Sequence, residues 1–306
     1  MTAWSGVFGA PVTPFGPDGE IDPALVRRGI DFLVARGVDG IALPLHTGES
    51  PSLSVPERKR LVELAVDAVG GAVPVLAHVS MSGTREVVDL ARHAEAAGAG
   101  AVVVVTPYHW RPPAGALAAH FRAVAGAVGI DVLAYNFPSR LGVSVTPELL
   151  EELVDACPNF AGMKDASYDM QSFTECARRA RARRPEFAML TGVEYLLPTM
   201  PLGGTRCFSP SSAVAPRLVR RLEQACRRGD LETGRELQYR VSALWHLLRD
   251  TGYPASVKAA MALLGRPAGG TRLPLLDPGA DALARLREGL GTLGVLDEEP
   301  YGWDST

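Results

Sequence analysis

The sequence predicts an α/β protein built as a (β/α)8 TIM barrel, followed by a C-terminal helical extension. Short apolar runs, several rich in valine, alternate with longer helical patterns, as in repeated βα units around a parallel sheet. Eight such runs are present, and eight units fill about 220 residues, which fits a closed barrel better than an open sheet. The predicted strands are residues 6–12, 40–45, 73–79, 101–107, 131–136, 160–164, 187–192 and 204–210.

Helix starts between these strands carry capping signals. A side chain that accepts backbone N–H bonds is favoured just before a helix, and proline is favoured at the first helical position. Serine followed three residues later by glutamate is typical of a capping box. The predicted starts are Asp22 before Pro23, Ser54 with Glu57, Thr84, and Thr146 before Pro147.

After Pro210 the pattern becomes wholly helical and continues to a last helix near residues 280–294. We assign residues 1–225 to the barrel and residues 226–306 to a helical extension packed on it. No low-complexity linker separates the two parts, so we expect one structural unit. The leucines, valines and alanines at helical spacing in this extension are interpreted as core or as a subunit contact.

Composition favours a protein that handles small molecules. The chain has 306 residues, is 47% hydrophobic and carries a formal net charge of only -3, so no strong field attracts nucleic acid or a membrane surface. The N-terminal stretch lacks a charged region followed by a long apolar one, and no run of about twenty apolar residues occurs. We therefore expect a soluble, cytoplasmic protein with no nucleic-acid or membrane partner.

Cysteine and histidine spacing predicts neither a disulfide framework nor a metal site. The four cysteines show no CxxC spacing, so reduced thiols are expected. The six histidines show neither HxH nor HExxH spacing, which argues against a histidine-based metal centre.

Lysine is rare in this chain, which otherwise uses arginine: only Lys59, Lys164 and Lys258 are present. Burial can neutralise a lysine amine, and the neutral amine attacks carbonyl groups, whereas arginine stays charged. Lys164 ends the predicted strand at residues 160–164 and is the candidate nucleophile. The alternative is a strand-end lysine paired with Asp165. Lys59 and Lys258 are interpreted as solvated helix residues.

Other reactive side chains also follow the predicted strands. Active sites of (β/α)8 barrels collect at the C-terminal mouth, where the strands end. Five strand ends converge there, carrying His46 to Ser50, Tyr108 and His109, Tyr135 and Asn136 with Arg140, Lys164, and Gly192.

Segments spread over nearly the whole chain resemble the dihydrodipicolinate synthase and N-acetylneuraminate lyase family. In order, they are LHTGESPSLS, TPYHWRP, YNFPSRLGV, GMKDAS, GGTRCFSPSSAVAP and the tail VKAAMALLGRP. The resemblance implies a class I Schiff-base lyase that acts on pyruvate or another 2-oxo acid, with no metal or organic cofactor. It implies Lys164 as the nucleophile and Tyr135 as the proton carrier.

The resemblance also assigns the loop after the second strand to the carboxylate of the 2-oxo acid. The Thr47 hydroxyl and the backbone N–H groups near Thr47 and Gly48 would hold this group, because a glycine-bearing turn directs main-chain donors at an anion. Thr47 would also link Tyr135 to a proton chain. Glu49 is expected to fix the loop by hydrogen bonding rather than to act as an acid. An ordinary strand-to-helix turn is the alternative.

Two histidines depart from the family pattern. His46 stands where the family usually has a threonine or serine, and it either takes over the relay role, shapes a different pocket, or is structural. His109 stands where the synthase usually presents a second tyrosine across the subunit contact. The proton relay, if present, is therefore expected to be rewired.

Further positions bear on the second substrate. Arg140 is retained where the synthase binds a carboxylate, which favours an acidic partner, with a structural salt bridge as the alternative. The stretch from Gly192 to Glu194 replaces the more acidic or hydroxylated run that contacts sugar hydroxyls in the lyases. Phe208 replaces a small aliphatic residue near the lysine and is expected to narrow the pocket.

The function predicted from the sequence is a Schiff-base aldolase or synthase of this family with a diverged substrate, using a 2-oxo acid and an aldehyde. Within the family, the alternatives are the synthase that condenses pyruvate with aspartate semialdehyde and a 2-keto-3-deoxy sugar acid dehydratase. A non-catalytic 2-oxo-acid sensor is the alternative from another class. Family members commonly form tetramers as pairs of dimers, and we expect a homotetramer here.

Overall fold

The computed structural model describes residues 4–304 and contains a closed barrel of eight parallel strands. Each strand pairs with the next, and β8 pairs in parallel with β1, so the predicted (β/α)8 architecture is confirmed. The strands are β1 Gly6–Gly9, β2 Gly40–Leu43, β3 Val75–His78, β4 Ala101–Val105, β5 Asp131–Asn136, β6 Phe160–Asp165, β7 Ala188–Thr191 and β8 Arg206–Ser209.

Helices lie between the strands and continue beyond the barrel. In chain order they are α1 Pro23–Ala35, α2 Val55–Val69, α3 Thr84–Ala96, α4 Ala114–Ala125, α5 Pro138–Leu141, α6 Pro147–Ala156, α7 Met170–Arg183, α8 Leu196–Thr199, α9 Pro216–Arg228, α10 Leu231–Asp250, α11 Ala255–Leu263, α12 Ala280–Thr292 and α13 Val295–Glu298.

Most predicted strands are longer than the hydrogen-bonded ladders. The first prediction, residues 6–12, ends as β1 at Gly9, although Ala10 and Val12 are buried. Apolar runs report burial, and at the mouth of a barrel the chain stays buried after it has left the sheet. Strand existence was therefore predicted better than strand length.

The predicted capping residues are found at three of four helix starts. Asp22 and Thr146 accept N–H bonds at their helices, and Ser54 forms the full capping box with Glu57. Thr84 is instead the first residue of α3, after Gly83. Its hydroxyl lies 2.9 Å from His120 Nδ1, so it bonds to α4 rather than to its own helix.

The helical extension packs on the barrel through a continuous apolar cluster. Val7 of β1 and Cys207 of β8 belong to the same buried cluster as Leu237, Leu244 and Leu290 of the extension. The expected division after residue 225 falls inside α9, which runs to Arg228. Within residues 4–304 all four cysteines are free thiols, and no helix is long and apolar enough to span a bilayer.

Candidate active site

Lys164 and Tyr135 are cross-strand neighbours at the mouth of the barrel. They are paired in the register of β5 and β6, and both side chains are 3% exposed. The Lys164 Nζ atom lies 3.3 Å from the centroid of the Tyr135 ring, and 5.9 Å from the ring centroids of Phe137 and Phe208. The amine thus sits in an aromatic enclosure formed by β5, β6 and β8.

Burial determines the protonation of this pair. Desolvation lowers the pKa of Lys164 well below its ordinary value, and the nearby acidic groups only partly oppose this. Desolvation also raises the pKa of Tyr135 well above its ordinary value. Burial therefore favours a neutral amine beside a protonated phenol, which is the combination of a nucleophile and a proton donor.

The alternative of an ion pair between Lys164 and Asp165 is not what the structure contains. Asp165 accepts hydrogen bonds from Asn136 Nδ2 at 2.7 Å and from Ser167 Oγ at 2.8 Å. Its carboxylate is thus held by neutral donors. Successive residues of a strand point to opposite faces, which separates Asp165 from the Lys164 amine.

His46 lies against Tyr135 from the loop after β2. Its Nδ1 atom is 3.4 Å from the Tyr135 hydroxyl, and its ring contacts Phe137 edge-on with centroids 5.2 Å apart. Burial, followed by the positive charges of Lys164 and Arg140, lowers the pKa of His46 to about 3. His46 is therefore neutral near pH 7 and has one nitrogen able to accept a proton.

Thr47 and Gly48 form the turn that follows His46. Gly48 packs tightly, since a Cβ atom there would lie 3.1 Å from Thr13 Oγ1, and that hydroxyl donates to the Gly48 carbonyl. The Gly48 N–H donates to the Leu45 carbonyl at 3.0 Å. Within residues 4–304, the Thr47 N–H has no such partner. Of the two backbone N–H groups expected to be free, at Thr47 and Gly48, only that of Thr47 is free within the described chain.

Glu49 holds this loop to the helical extension. It has a left-handed backbone, is buried, and forms a 2.6 Å ion pair with Lys258, while its second oxygen accepts the Arg272 N–H. Its expected loop-fixing role agrees with these contacts. The interpretation of Lys258 as a solvated residue is wrong, because Lys258 is 4% exposed, pairs with Glu49 and donates to the Gly270 carbonyl at 2.7 Å.

Tyr253 is a site residue that the sequence did not reveal. Its hydroxyl lies 2.7 Å from Thr47 Oγ1, although 206 positions separate the two residues in the chain. Burial raises the pKa of Tyr253 above its ordinary value, so it remains a protonated donor. A tyrosine before a proline between two helices carries no sequence signal for contact with a distant loop.

Glu194 and Gly192 lie near the end of β7, where the structure gives each an internal role. The Glu194 carboxylate accepts bonds from the Ser211 N–H at 3.0 Å and from the Ser209 and Ser211 hydroxyls. A Cβ atom on Gly192 would lie 2.4 Å from that of Ala166, so only glycine allows this approach. These contacts hold the loop after β8 and the ends of β6 and β7.

Arg140 and His109 are the most exposed of the predicted site residues. Arg140 lies in α5, and across the described residues 4–304 its guanidinium forms no hydrogen bond or ion pair. Its charge still acts on His46, Tyr135 and Tyr253. His109 lies on the loop after β4 and packs edge-on against Trp110.

The sequence comparisons agree with this geometry. The model of the Dihydrodipicolinate synthetase family matches residues 3–291. The chain is 37% identical over 292 residues to a 4-hydroxy-tetrahydrodipicolinate synthase of Acidiphilium cryptum, covering 95% of this chain and 99% of that protein. The chain belongs to the dihydrodipicolinate synthetase family. Members of this family are class I Schiff-base lyases, and the chain is an enzyme of that class.

Solved structures of the dihydrodipicolinate synthetase family share the whole fold. A dihydrodipicolinate synthase from Aquifex aeolicus is 33% identical, with a TM-score of 0.91, and the match covers 97% of this chain and 100% of that one. YagE, a prophage protein of this family from E. coli K12 in complex with pyruvate, is 30% identical, with a TM-score of 0.92 and coverage of 96% and 99%.

Within the family framework, the site is organised around side-chain chemistry. The buried amine of Lys164 lies against the Tyr135 ring, the Tyr135 hydroxyl lies 3.4 Å from His46 Nδ1, and the Thr47 and Tyr253 hydroxyls lie 2.7 Å apart. Among residues 4–304, no three histidine, cysteine, aspartate or glutamate side chains converge as metal ligands would.

Proposed function

We propose that the chain is a pyruvate-type Schiff-base aldolase or synthase whose second substrate is anionic. The observation that carries this proposal is the buried amine of Lys164, 3.3 Å from the ring centroid of Tyr135 and poised as a neutral nucleophile. The amine adds to the 2-oxo carbon, giving a carbinolamine that loses water to form an iminium ion. Loss of a C3 proton from the iminium gives an enamine, whose C3 attacks the aldehyde carbon of the partner.

Tyr135 and His46 carry the protons of these steps. The phenol gives a proton to the departing hydroxyl of the carbinolamine, so that water leaves, and it regains one when a later intermediate releases a proton. His46 Nδ1, 3.4 Å from the phenol oxygen, occupies the position of the relay hydroxyl implied by the family resemblance. In this proposal His46 is a proton-relay partner and Tyr135 the group that touches the substrate.

Thr47 binds the carboxylate of the 2-oxo acid. Its hydroxyl and its free N–H are the two donors on this turn, and the Gly48 position gives the turn its close packing against Thr13. The Tyr253 hydroxyl lies 2.7 Å from Thr47 Oγ1, and with the phenol as the donor of this bond the Thr47 hydroxyl hydrogen is free for the substrate. Phe208, in the aromatic enclosure around the amine, limits the size of the group attached to the 2-oxo carbon.

Arg140 selects the second substrate. An exposed guanidinium without a partner inside the described chain offers two parallel donors to a carboxylate. The Acidiphilium cryptum relative carries the name of a synthase. Condensation with aspartate semialdehyde is the first alternative, and water loss from a 2-keto-3-deoxy sugar acid with the same Lys164 and Tyr135 is the second. Glu194 and Gly192 shape the mouth in each case.

Borohydride trapping tests the central step. Incubation with pyruvate and borohydride should add about 72 Da to the chain, mapped to the peptide that contains Lys164. Lys164→Ala should abolish this adduct, and Lys59→Ala, which removes a lysine of the α2 surface, should leave it unchanged. If pyruvate gives no adduct, longer 2-oxo acids are tried. If no 2-oxo acid is trapped, the aldolase proposal fails and the hypothesis of a non-catalytic sensor is left standing.

Product analysis separates the two lyase chemistries. An aldolase releases pyruvate from a 4-hydroxy-2-oxo acid, whereas a dehydratase releases water and leaves the carbon chain intact. Coupled lactate dehydrogenase detects the first product, and mass spectrometry of the remaining acid detects the second. Water loss without pyruvate release would replace the aldolase proposal with the dehydratase.

We infer that the protein works in the cytoplasm as a homotetramer built from two dimers. Support comes from the exposed Trp110, 60% accessible beside His109, and from the free thiols, which suit a reducing compartment. In this assembly His109 reaches the partner's site across the tight contact. Light scattering should give four times the chain mass, and Trp110→Asp should give smaller species. A monomeric wild-type protein would contradict the assembly.

A further inference from the structure

His78, the last residue of β3, has a buried nitrogen with no role so far. The residue is 1% exposed, and its Nδ1 atom lies 2.9 Å from the carbonyl oxygen of Pro44. A carbonyl only accepts hydrogen bonds, so Nδ1 carries the hydrogen. In the neutral ring, Nε2 is then a bare acceptor. Nε2 has no hydrogen-bond partner within residues 4–304.

A buried acceptor without a donor is destabilising, so native structures normally supply one. The His78 ring lies among aromatic side chains of the active site. Its centroid is 6.1 Å from that of His46 and 6.2 Å from that of Tyr135. The Tyr135 hydroxyl already faces His46 Nδ1. With Nδ1 of His46 facing Tyr135, the Nε2–H of His46 is a donor available to His78, whereas Arg58, whose charge acts on His78, already donates to the Ser50 and Ser80 carbonyls.

The spacing of the two rings suits such a link. A direct N–H···N bond of about 3 Å places two imidazole centroids about 5 Å apart, and one bridging water extends this to about 7 Å. The observed 6.1 Å between His46 and His78 lies between these values, within reach of a bent bridge through one water.

We propose that His78 is a positioning residue that fixes the tautomer of His46. The Nε2 lone pair of His78 accepts the Nε2–H of His46, directly or through one water, and this leaves His46 Nδ1 unprotonated towards the Tyr135 hydroxyl. The chain of donors then runs in one direction, from Tyr135 to His46 to His78, with the Pro44 carbonyl as its end. The predicted tautomers do not depend on the proposed function; only the effect of His78 on catalysis rests on it.

The tautomer decides how the phenol can act. With His46 Nδ1 unprotonated, Tyr135 can pass its hydroxyl hydrogen to His46 while the phenol oxygen takes a proton from the reacting group. Both transfers reverse when the proton is returned to the reacting group. No net proton is gained or lost by the three residues. With the opposite tautomer, His46 Nδ1–H would donate to the phenol oxygen and could accept nothing from it.

Nitrogen NMR of ¹⁵N-histidine-labelled protein tests this arrangement without turnover. Long-range ¹H–¹⁵N spectra distinguish the two neutral tautomers of each imidazole, and His46→Gln and His78→Gln assign the two signals. We expect His46 and His78 to be single, opposite tautomers: Nε2–H for His46 and Nδ1–H for His78. A wild-type His46 with hydrogen on Nδ1 would overturn the proposal, whatever the outcome of borohydride trapping.

Two substitutions separate positioning from packing. His78→Asn keeps a donor near the Pro44 carbonyl but removes the acceptor at Nε2, whereas His78→Gln can place an amide oxygen there. We expect His46 to become a mixture of tautomers in His78→Asn and to stay single in His78→Gln. With a substrate found by trapping, His78→Asn should lower kcat about 10- to 100-fold with KM changed less than about twofold, and His78→Gln should restore much of it.

His120 provides the matched control. It is also a buried histidine, 4% exposed, whose Nδ1 lies 2.9 Å from a hydroxyl and whose Nε2 lacks a partner within the described residues, but it lies on α4. His120→Asn should leave the His46 signal and kcat unchanged. An unchanged His46 tautomer in His78→Asn, with the protein folded by circular dichroism, would also overturn the proposal.

Discussion

The hydroxyl groups of Thr47 and Tyr253 lie 2.7 Å apart and join the active-site loop after β2 to the helical extension. The same loop is held a second time, through the ion pair of Glu49 with Lys258. The extension therefore forms part of the wall of the site rather than an accessory to the barrel. The position of the proposed carboxylate-binding turn depends on residues more than 200 positions away.

Removing the Tyr253 hydroxyl should weaken binding of the 2-oxo acid. In Tyr253→Phe the Thr47 hydroxyl loses its donor and can turn its own hydrogen away from the substrate, at about 0.5–1.5 kcal/mol for a neutral hydrogen bond. We expect the pyruvate concentration for half-maximal trapping to rise about 3- to 10-fold. Tyr239→Phe, at a 68% exposed position on α10, is the control. Equal trapping by both variants would contradict the role of Tyr253.

The lowered pKa of Lys164 should appear in the pH dependence of imine formation. An amine reacts in its neutral form, so the rate rises with pH up to the amine pKa and is level above it. Exposed lysines have a pKa of about 10.4, whereas burial lowers the pKa of Lys164 well below this value. The rate of imine formation should therefore become level at a lower pH than for an exposed lysine. Cyanoborohydride trapping with pyruvate from pH 6 to 10 measures it. A rate still rising at pH 10 would mean an ordinary lysine.

Loss of the Arg140 guanidinium should affect the second substrate alone. A hydrogen bond to a charged group contributes about 1.5–3 kcal/mol, so Arg140→Ala should raise KM for an anionic aldehyde about 10- to 100-fold. Pyruvate trapping should change less than about twofold. Arg287→Ala, at an exposed position of α12, is the control. An equal effect on a neutral aldehyde of similar size would show that Arg140 does not read the carboxylate.

Breaking the buried pair of Glu49 and Lys258 should destabilise the protein strongly. Their side chains are 1% and 4% exposed, and removal of one partner leaves an uncompensated buried charge at about 3–5 kcal/mol. We expect Lys258→Met to lower the free energy of unfolding by this amount, and Glu49→Gln combined with Lys258→Met to recover part of it. Urea unfolding followed by circular dichroism measures both.

The exposed pair of Lys59 and Asp89 calibrates this experiment. The Lys59 and Asp89 atoms are 2.7 Å apart, a distance similar to the 2.6 Å of the buried pair, but Asp89 is 60% exposed. Solvated pairs contribute about 0–1 kcal/mol, so Lys59→Met should have little effect. Similar losses for the two lysines would show that the pair of Glu49 and Lys258 is solvated in solution.

Much of the fold was predictable because it depends on local patterns. Apolar runs, capping residues and prolines act over a few neighbouring positions, so all eight strands and three of the four predicted helix caps could be identified from the sequence. The ends of the strands were less predictable, because residues such as Ala10 and Val12 remain buried after the ladder has ended. The predicted cap at Thr84 was off by one position: Thr84 is the first residue of α3, and its hydroxyl bonds to His120 on another helix.

The sequence by itself determined the eight βα units, the rare lysine at the end of β6 and the reactive residues at the strand ends. Only the tertiary structure decided that Tyr253 reaches Thr47, that Lys258 is buried against Glu49, and that His78 lies behind His46. Periodicity is a property of neighbouring residues, and rarity is a property of a single residue type. A hydrogen bond, an ion pair or a desolvated imidazole depends instead on which distant residues the closed barrel brings within a few ångströms.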